Sequence, residues 1–390
     1  MKKIFFITLI FIVIFNKSSF SQNDSFEKNT SYSGILLSRF VEQLKIGGDM
    51  LFLYEYLDSN HEFKGKIELG VIGKMSKNLK FGFGVATGDM SNPPELEQNL
   101  GDMFRQLSFN LDKFYINYID SLFDEFLGLN ITIGKFPHKF LSTGMLWSEE
   151  LKPTGITEKI SFPSFWLIDE ISITGIQYIV AQSYKKDIDN SYIIGIQFSI
   201  FSIPIEDSFF DQIAVGIGYY NLMDPDTLAD QINDLKSNVR NTNRMIPVSS
   251  NQTQEFIPNR FTSNFNVLDA ILGLKGKIAE VLPFNLKFDF ATNFGSTNKD
   301  SGIWIEIEIG EITKPEDFQI SGIFTWQQQD VTLSMFNSHL IEGTNLLGYG
   351  IIATYELFDY TDIFTDLIIT QPFEQNTTHL KLRLGTSIRF

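Results

Sequence analysis

The feature that most constrains this chain is an alternation of bulky apolar and polar residues that returns in segment after segment with a period of two. Side chains on a β-strand point to opposite faces in turn, so each such segment reads as a strand with one greasy and one wet side. Over 283–294, Phe284, Leu286, Phe288, Phe290 and Phe294 share a face, and Asn285, Lys287, Asp289 and Asn293 share the other. Over 302–311, Ile303, Ile305, Ile307 and Ile309 alternate with Trp304, Glu306, Glu308 and Gly310. Segment 79–88 sets Leu79, Phe81, Phe83 and Val85 against Lys80, Gly82, Gly84 and Ala86, and 128–136 sets Leu129, Ile131 and Ile133 against Asn130, Thr132 and Gly134. Comparable readings hold for 44–56, 63–74, 111–119, 170–182, 191–202, 211–221, 264–277, 316–327, 346–358 and 363–371, with a less regular one near 154–161. The last segment, 379–390, places Leu380, Leu382, Leu384, Ile388 and Phe390 opposite His379, Lys381, Arg383 and Arg389.

The polar faces are rich in Gly and charge, which suits water rather than a packed interior, and the apolar faces are too continuous for the outside of a soluble protein. A β-sandwich would also alternate, but it has no need of so many long strands. A lipid-facing wall around a wet lumen explains both faces. The high count of 38 Phe against 4 Trp suits such a surface. At the other end, Lys2 and Lys3 precede the apolar run Ile4 to Phe15, and small residues precede a cut after Ser21. That is the pattern of a secretory signal peptide over 1–21. The run is shorter than the roughly 20 residues of a spanning helix, and no later stretch reaches that length uninterrupted. An exported chain that enters a membrane without such a helix must do so as a closed barrel. The expected organisation is the leader, a short periplasmic segment over 22–43, and a transmembrane antiparallel up-and-down β-barrel over 44–390.

With both ends of the barrel on one side, sixteen strands put every long connection (89–110, 137–153, 222–263 and 328–345) at the opposite end, as outer loops, together with a few short ones. The remaining connections are short turns, as in outer-membrane barrels. Sixteen is therefore the expected number, within a range of 14–18.

Cysteine is absent, which removes disulfides and thiolate chemistry. The formal charge is −16, and loss of the three leader lysines takes it to −19. A surface this acidic excludes nucleic acid as a partner, because phosphate binding needs a basic one. In a diffusion pore, function lies in lumen width and in the charges on its inner wall. Strand parity assigns to that wall the bases Lys66, Lys74, Lys80, Lys113, Lys287, Lys381, Arg383 and Arg389. It also assigns the acids Asp49, Glu55, Glu68, Asp289, Glu306, Glu308 and Glu356. The wall is mixed in sign, so the acidic excess belongs to loops and turns. Loop 137–153 is the expected constriction, with Trp147 plugging a gap against the wall and Glu149 and Glu150 facing Lys80 or Lys113. Loop 222–263 carries Asp224, Asp226, Asp230 and Asp234 with Arg240, Arg244 and Arg260, and its 226–236 stretch suits a short surface helix. Its carboxylate spacing does not match a calcium-binding EF-hand loop, so a solvated loop is expected, with no metal and no cofactor. The four histidines, His61, His138, His339 and His379, lack the Ser or acid neighbours of a hydrolase motif, so no enzyme is expected. A barrel phospholipase, which carries a Ser–His pair on its outer face, is the enzymatic alternative.

Two stretches go beyond architecture. Phe81-Gly82-Phe83-Gly84-Val85-Ala86-Thr87-Gly88-Asp89 leads into Asn99-Leu100-Gly101-Asp102-Met103-Phe104, and Ile133-Gly134-Lys135-Phe136-Pro137 leads into Met145-Leu146-Trp147-Ser148-Glu149-Glu150-Leu151-Lys152-Pro153-Thr154-Gly155. The sequence here resembles the "putative porin" family of Gram-negative bacteria, similar in plan to sixteen-stranded porins. It departs from the family's pattern at Ser148, where an acid is usual, and at Thr154, where Glu is common. The C-terminal strand, ending in Phe390, resembles the terminal strand by which outer-membrane barrels are recognised for assembly. The resemblance implies an outer-membrane porin passing small hydrophilic solutes or ions, set in outer-membrane lipid, inserted by the barrel-assembly machinery and commonly a homotrimer. A structural or adhesive barrel binding an external partner through its long loops is the alternative.

Overall fold

A computed structural model of the chain describes residues 44–88, 96–101, 108–122, 126–164, 167–182, 189–202, 209–234, 242–246, 260–279, 281–375 and 377–390. The expected leader and the segment 22–43 lie outside the described residues. The barrel strands are β1 (Leu44–Leu57), β2 (Asn60–Lys74), β3 (Leu79–Thr87), β4 (Phe109–Leu122), β5 (Leu127–Lys135), β6 (Thr154–Phe162), β7 (Ile168–Ala181) and β8 (Ser191–Ser202). They continue as β9 (Phe210–Met223), β10 (Asn266–Ile278), β11 (Leu282–Asn293), β12 (Ser301–Gly310), β13 (Phe318–Gln327), β14 (Leu346–Phe358), β15 (Thr361–Pro372) and β16 (His379–Arg389). Each pairs antiparallel with its sequence neighbours, and β16 returns to β1 from Asp49↔Arg389 to Leu57↔Lys381. The sixteen long strands expected from the alternation are therefore all present and form a closed barrel. Closure leaves no unpaired edge, which is what lets a sheet sit in hydrocarbon.

The connections sort by length as expected. At one end lie 75–78, 123–126, 163–167, 203–209, 279–281, 311–317 and 359–360; at the other lie 88–108, 136–153, 224–265 and 328–345, with shorter ones. The two-residue turn Asp58-Ser59 between β1 and β2 has φ of 48° and 81°. Positive φ at both central residues is the hairpin geometry whose twist matches the strands. A helix, α1 (Pro225–Asp234), opens the longest connection, with Pro225 at its first position, where the missing N–H has no partner to lose.

The outward face is apolar. Phe52, Phe63, Phe114, Ile116, Ile196, Ile217, Phe290, Ile351 and Leu384 all lie on it, exposed. Strict alternation fails at one instructive place. The β3–β4 register shifts between Gly84 and Val85, which pair with Lys113 and Leu111, so Asp112 is an extra residue on β4. A bulge of this kind inserts a residue and re-aims its neighbours. It turns both Asp112 and Lys113 away from the outward Leu111 and Phe114, and the two charges sit 3.5 Å apart. Parity alone would have left Asp112 facing lipid.

Glu158 departs from the pattern in the other direction. Thr157 beside it is buried and bonded to the inward Tyr178 hydroxyl (2.9 Å), so Glu158, at the middle of the nine-residue β6, points outward. Its register partners are Ile131 and Gly175, and it has no ion-pair or hydrogen-bond partner among the described residues. A charged group on the lipid face of a barrel destabilises it, an acid by less than the roughly 2–4 kcal/mol of a midplane lysine or arginine. Glu158→Leu is therefore expected to stabilise the folded barrel by about 1 kcal/mol. Heat-modifiable gel migration should show a higher transition temperature for this variant, and an equal or lower one would place Glu158 in a favourable contact instead.

Candidate functional site: the barrel lumen

The interior is built by loops that fold back into the barrel. Gly134 at the end of β5 has φ +125°, a region open mainly to glycine. A Cβ there would sit 2.1 Å from the Phe114 carbonyl oxygen. The chain stays paired through Lys135 and then leaves the wall, delivering Phe136, fully buried, between the rings of Tyr115 and Tyr178 (centroids 6.4 and 6.0 Å). The connection 136–153 then crosses to the far wall. The Leu141 N–H donates to Gln197 Oε1 (2.8 Å), Gln197 Nε2 donates back to the Leu141 carbonyl (2.7 Å), and the Thr143 hydroxyl bonds Asp289 on β11.

There it meets the connection 328–345, which also folds inward. Ser148 N–H donates to the Phe336 carbonyl (2.6 Å), Ser338 N–H to the Gly144 carbonyl (2.7 Å), and Thr332 Oγ1 to the Met145 carbonyl (3.2 Å). Trp147 is buried and stacks on Phe336 with centroids 5.2 Å apart and planes 18° from parallel. Phe140, Met145, Leu146, Tyr178, Tyr220, Phe265, Trp304, Val331 and Leu333 complete an apolar cluster inside the barrel. The lumen is therefore not water throughout, as the polar faces of the strands suggest: its loop end holds a small packed core. The inward apolar residues of β7 to β13 are covered by loop residues rather than by solvent.

This core changes the reading of several predicted wall residues. Asp289 has no exposed surface and faces Thr143, so it anchors a loop and does not line water. Asp269 on β10, missed by the sequence reading, is equally buried on the same inward face. Trp147 packs against both another loop and the wall: it stacks on Phe336 and meets Tyr178 of β7 edge-on, with centroids 5.8 Å apart and planes at 88°.

The opposite sector of the wall is a charge network. Arg383 on β16 bonds Glu97, which precedes β4 in the connection 88–108, and lies 3.3 Å from Asp366 and 3.8 Å from Glu55. Lys64 lies 2.7 Å from Glu55, and Lys381 bonds Glu342. Arg383 and Lys381 are thus inward, as parity requires, but nearly covered by loop carboxylates. Glu150 is 3.2 Å from Lys66 and 3.6 Å from His339 Nδ1, while Arg383 Nη1 lies 3.3 Å from His339 Nε2. The expected pairing of Glu149 and Glu150 with Lys80 or Lys113 is therefore corrected. Glu150 finds Lys66 and His339, Glu149 is exposed, and Lys113 bonds Glu68. Lys80 is exposed and pairs in register with Lys74. Across the lumen Lys287 lies 2.8 Å from Glu306 and Asn285 2.6 Å from Glu308. At the turn end Arg389 meets Asp362 (3.0 Å) and Glu356 (3.8 Å).

Of the residues missed from sequence, Glu97, His339 and Glu342 belong to loops, Asp112 to a bulge and Asp362 to a strand start, where period-two reading gives no side; Lys64 and Asp366 lie inside β2 and β15, at the inward parity of Lys66 and opposite Arg383. Asp226 of the long connection pairs with Arg260 (3.3 Å) on the surface. Arg240 and the side chains of Asp230 and Asp234 lie outside the described residues. Among the described residues no group of three His, Asp or Glu side chains is placed to hold a metal.

A closed sixteen-strand barrel, apolar outside, with charged walls and inward-folded loops within, is a porin-type barrel channel. Residues 49–231 match the family described as "Putative porin", the family whose motifs the sequence resembles. No curated protein matches the sequence. Among solved structures the chain is similar to OprB of Pseudomonas putida, determined at high pH. That likeness has a TM-score of 0.56 at 10% identity and covers 94% of this chain and 100% of that one. It is also similar to Salmonella typhi OmpF in complex with daunomycin, with a TM-score of 0.53 at 11% identity over 89% of this chain and 97% of that one. At such identities the likeness speaks for the fold alone.

His138 makes the docking of loop 136–153 sensitive to pH. Its Nε2 is 2.7 Å from the Ser142 hydroxyl, its Nδ1 is buried without a partner, and its ring packs on Phe140 (5.1 Å). Burial, with Lys152 and Lys139 nearby, pushes its pKa from 6.5 down to about 4. A group whose folded pKa is lowered in this way stays neutral in the docked loop, and proton uptake favours the released one. Docking should therefore weaken as pH falls from about 6.5 to 4, by an amount on the order of 3 kcal/mol across the window. Current recordings should show more substate flickering at pH 4.5 than at pH 7 in the wild type and little change in His138→Phe. Equal pH dependence in both would contradict this.

Proposed function

We propose that this chain is an outer-membrane porin that lets small hydrophilic solutes and ions diffuse passively through the part of the lumen its loops leave open. The observation that carries this reading is the course of loop 136–153. It crosses the lumen, is bonded to β8, β11 and loop 328–345, and brings Glu150 within 3.2 Å of Lys66 on the wall, with the exposed Glu149 beside it. Charges of opposite sign across a narrow aqueous gap create a transverse field that favours polar and ionic solutes over apolar ones. The enzymatic alternative calls for a Ser–His pair on the outer face; the pair formed by His138 and Ser142 (2.7 Å) lies instead within loop 136–153, while His61 bonds the Tyr54 hydroxyl and His339 and His379 face carboxylates. On this reading lipid surrounds the outward face, the assembly machinery recognises β16, and the barrel assembles as a homotrimer.

Purified protein in planar bilayers should give stepwise conductance. Under a salt gradient, replacing Glu149 and Glu150 together by Gln should move the reversal potential toward anion preference, changing the permeability ratio on the order of twofold. An unchanged reversal potential would remove loop 136–153 from the constriction. Correctly inserted but silent protein would favour the structural or adhesive barrel.

A further inference from the structure

The turn-end half of the lumen holds a concavity that none of the features above employs. Gly47, Gly70 and Gly84 are register partners on β1, β2 and β3, so they form one row across three adjacent strands. All three share the inward parity of Asp49, Glu68 and Ala86. The row leaves a bare floor at Gly47 and Gly70, while the Lys113 side chain comes over Gly84, its Cβ 3.4 Å from where a Cβ there would stand. A Cβ added at Gly70 would meet nothing nearer than the Phe83 carbonyl oxygen at 3.8 Å. A cavity of about 430 Å³ lies over this floor, with Tyr115 at its side and Pro137, at the root of loop 136–153, above it.

Charge is ordered across the cavity. One register step toward the turn end stands Lys45, opposite Ile72; one step toward the loop end stand Asp49 and Glu68, opposite each other. Cα atoms four residues apart on a strand are about 13 Å apart, so a cationic and an anionic edge flank the bare floor. Lys45 is exposed and has no ion-pair partner among the described residues. Asp49 accepts from the Ser387 hydroxyl (2.8 Å) with Lys66 at 3.6 Å, and Glu68 is bonded by Lys113, which also lines the cavity.

A simple anion resting here meets two carboxylates, and a simple cation held by those carboxylates meets lysines. A molecule with separated charges of both signs satisfies each edge at once, and the glycine floor lets its main chain lie flat against the wall. We propose that this glycine-floored cavity is a binding station for small zwitterions, free amino acids or dipeptides, with the carboxylate at Lys45 and the ammonium at Asp49 and Glu68. The proposal rests on the channel reading and adds a solute class to it.

The test is single-channel recording of the full-length protein with glycylglycine as the probe, added on the turn side. N-acetylglycine serves as the anionic comparison and glycinamide as the cationic one. Glycylglycine should produce concentration-dependent interruptions of the open current with an affinity at least about fivefold above either comparison. Gly70→Leu, which fills the floor, should abolish them, and Lys45→Met should weaken them about fivefold or more. Lys45→Met lies near the strand end and keeps the test open should Gly70→Leu fail to fold. Equal blocking by the three probes, or blocking untouched by Lys45→Met, would overturn the proposal while the open steps uphold the channel. Blocking by N-acetylglycine as strong as by glycylglycine would make the site one for anions and overturn it as well. Absence of any open step would sink the channel reading and the station with it.

Discussion

Backbone hydrogen bonding in a medium without water is the constraint on which the rest of this structure depends. Each peptide group in the hydrocarbon layer must find its partner within the protein, and a sheet does this only when its last strand returns to its first. The β1–β16 register, nine residue pairs from Asp49↔Arg389 to Leu57↔Lys381, performs that closure. With every neighbouring pair antiparallel, closure requires an even strand number and puts alternate connections at opposite ends of the barrel. Alternation of side chains then becomes a division between two solvents, and the apolar half of every strand is committed to lipid.

The inward half is not committed in the same way, and the loops decide what it becomes. On the β7 to β13 sector, inward Tyr178, Tyr220 and Trp304 are covered by Phe140, Met145 and Trp147, and a packed core results. On the β16, β1 and β2 sector, inward Arg383, Glu55, Lys64 and Lys66 are met by Glu97, Glu150 and His339, and an ion-pair network results. Such pairs each contribute little to stability where water reaches them, and more where Arg383 and Glu97 are shielded together. Their larger consequence is positional. Three loops from separate parts of the chain converge on His339, so the aperture of the lumen is fixed by contacts among loops as much as by the wall.

The sequence carried the barrel well because its signal is redundant. Phe284 to Phe290 and Ile303 to Ile309 each state the period-two pattern independently, and the connection lengths check the strand number. The lumen was legible only in part. Parity placed Lys287, Glu306 and Arg383 on the inner face, yet it said nothing of how close they come to a loop. Asp112 was hidden because one inserted residue reverses the parity around it. Glu97, His339 and Glu342 were hidden because loop residues have no parity to read, and so Glu150 was matched with Lys80 or Lys113 instead of Lys66. Asp289 illustrates the same limit from the other side: it stands on the inward face, but burial under Thr143 could not be seen from β11 alone.

Adjacent residues along each strand meet different solvents, and the chain's lack of cysteine makes this directly measurable. Single cysteines are placed in turn at Leu286, Lys287, Ile305, Glu306, Ile307 and Glu308, on the paired strands β11 and β12. Each protein is reconstituted in lipid and exposed to a charged, water-soluble thiol reagent. Labelling is expected at 287, 306 and 308 and protection at 286, 305 and 307, with the protected set reached by a lipid-dissolved probe. Uniform labelling along both strands, or the reverse order, would contradict it.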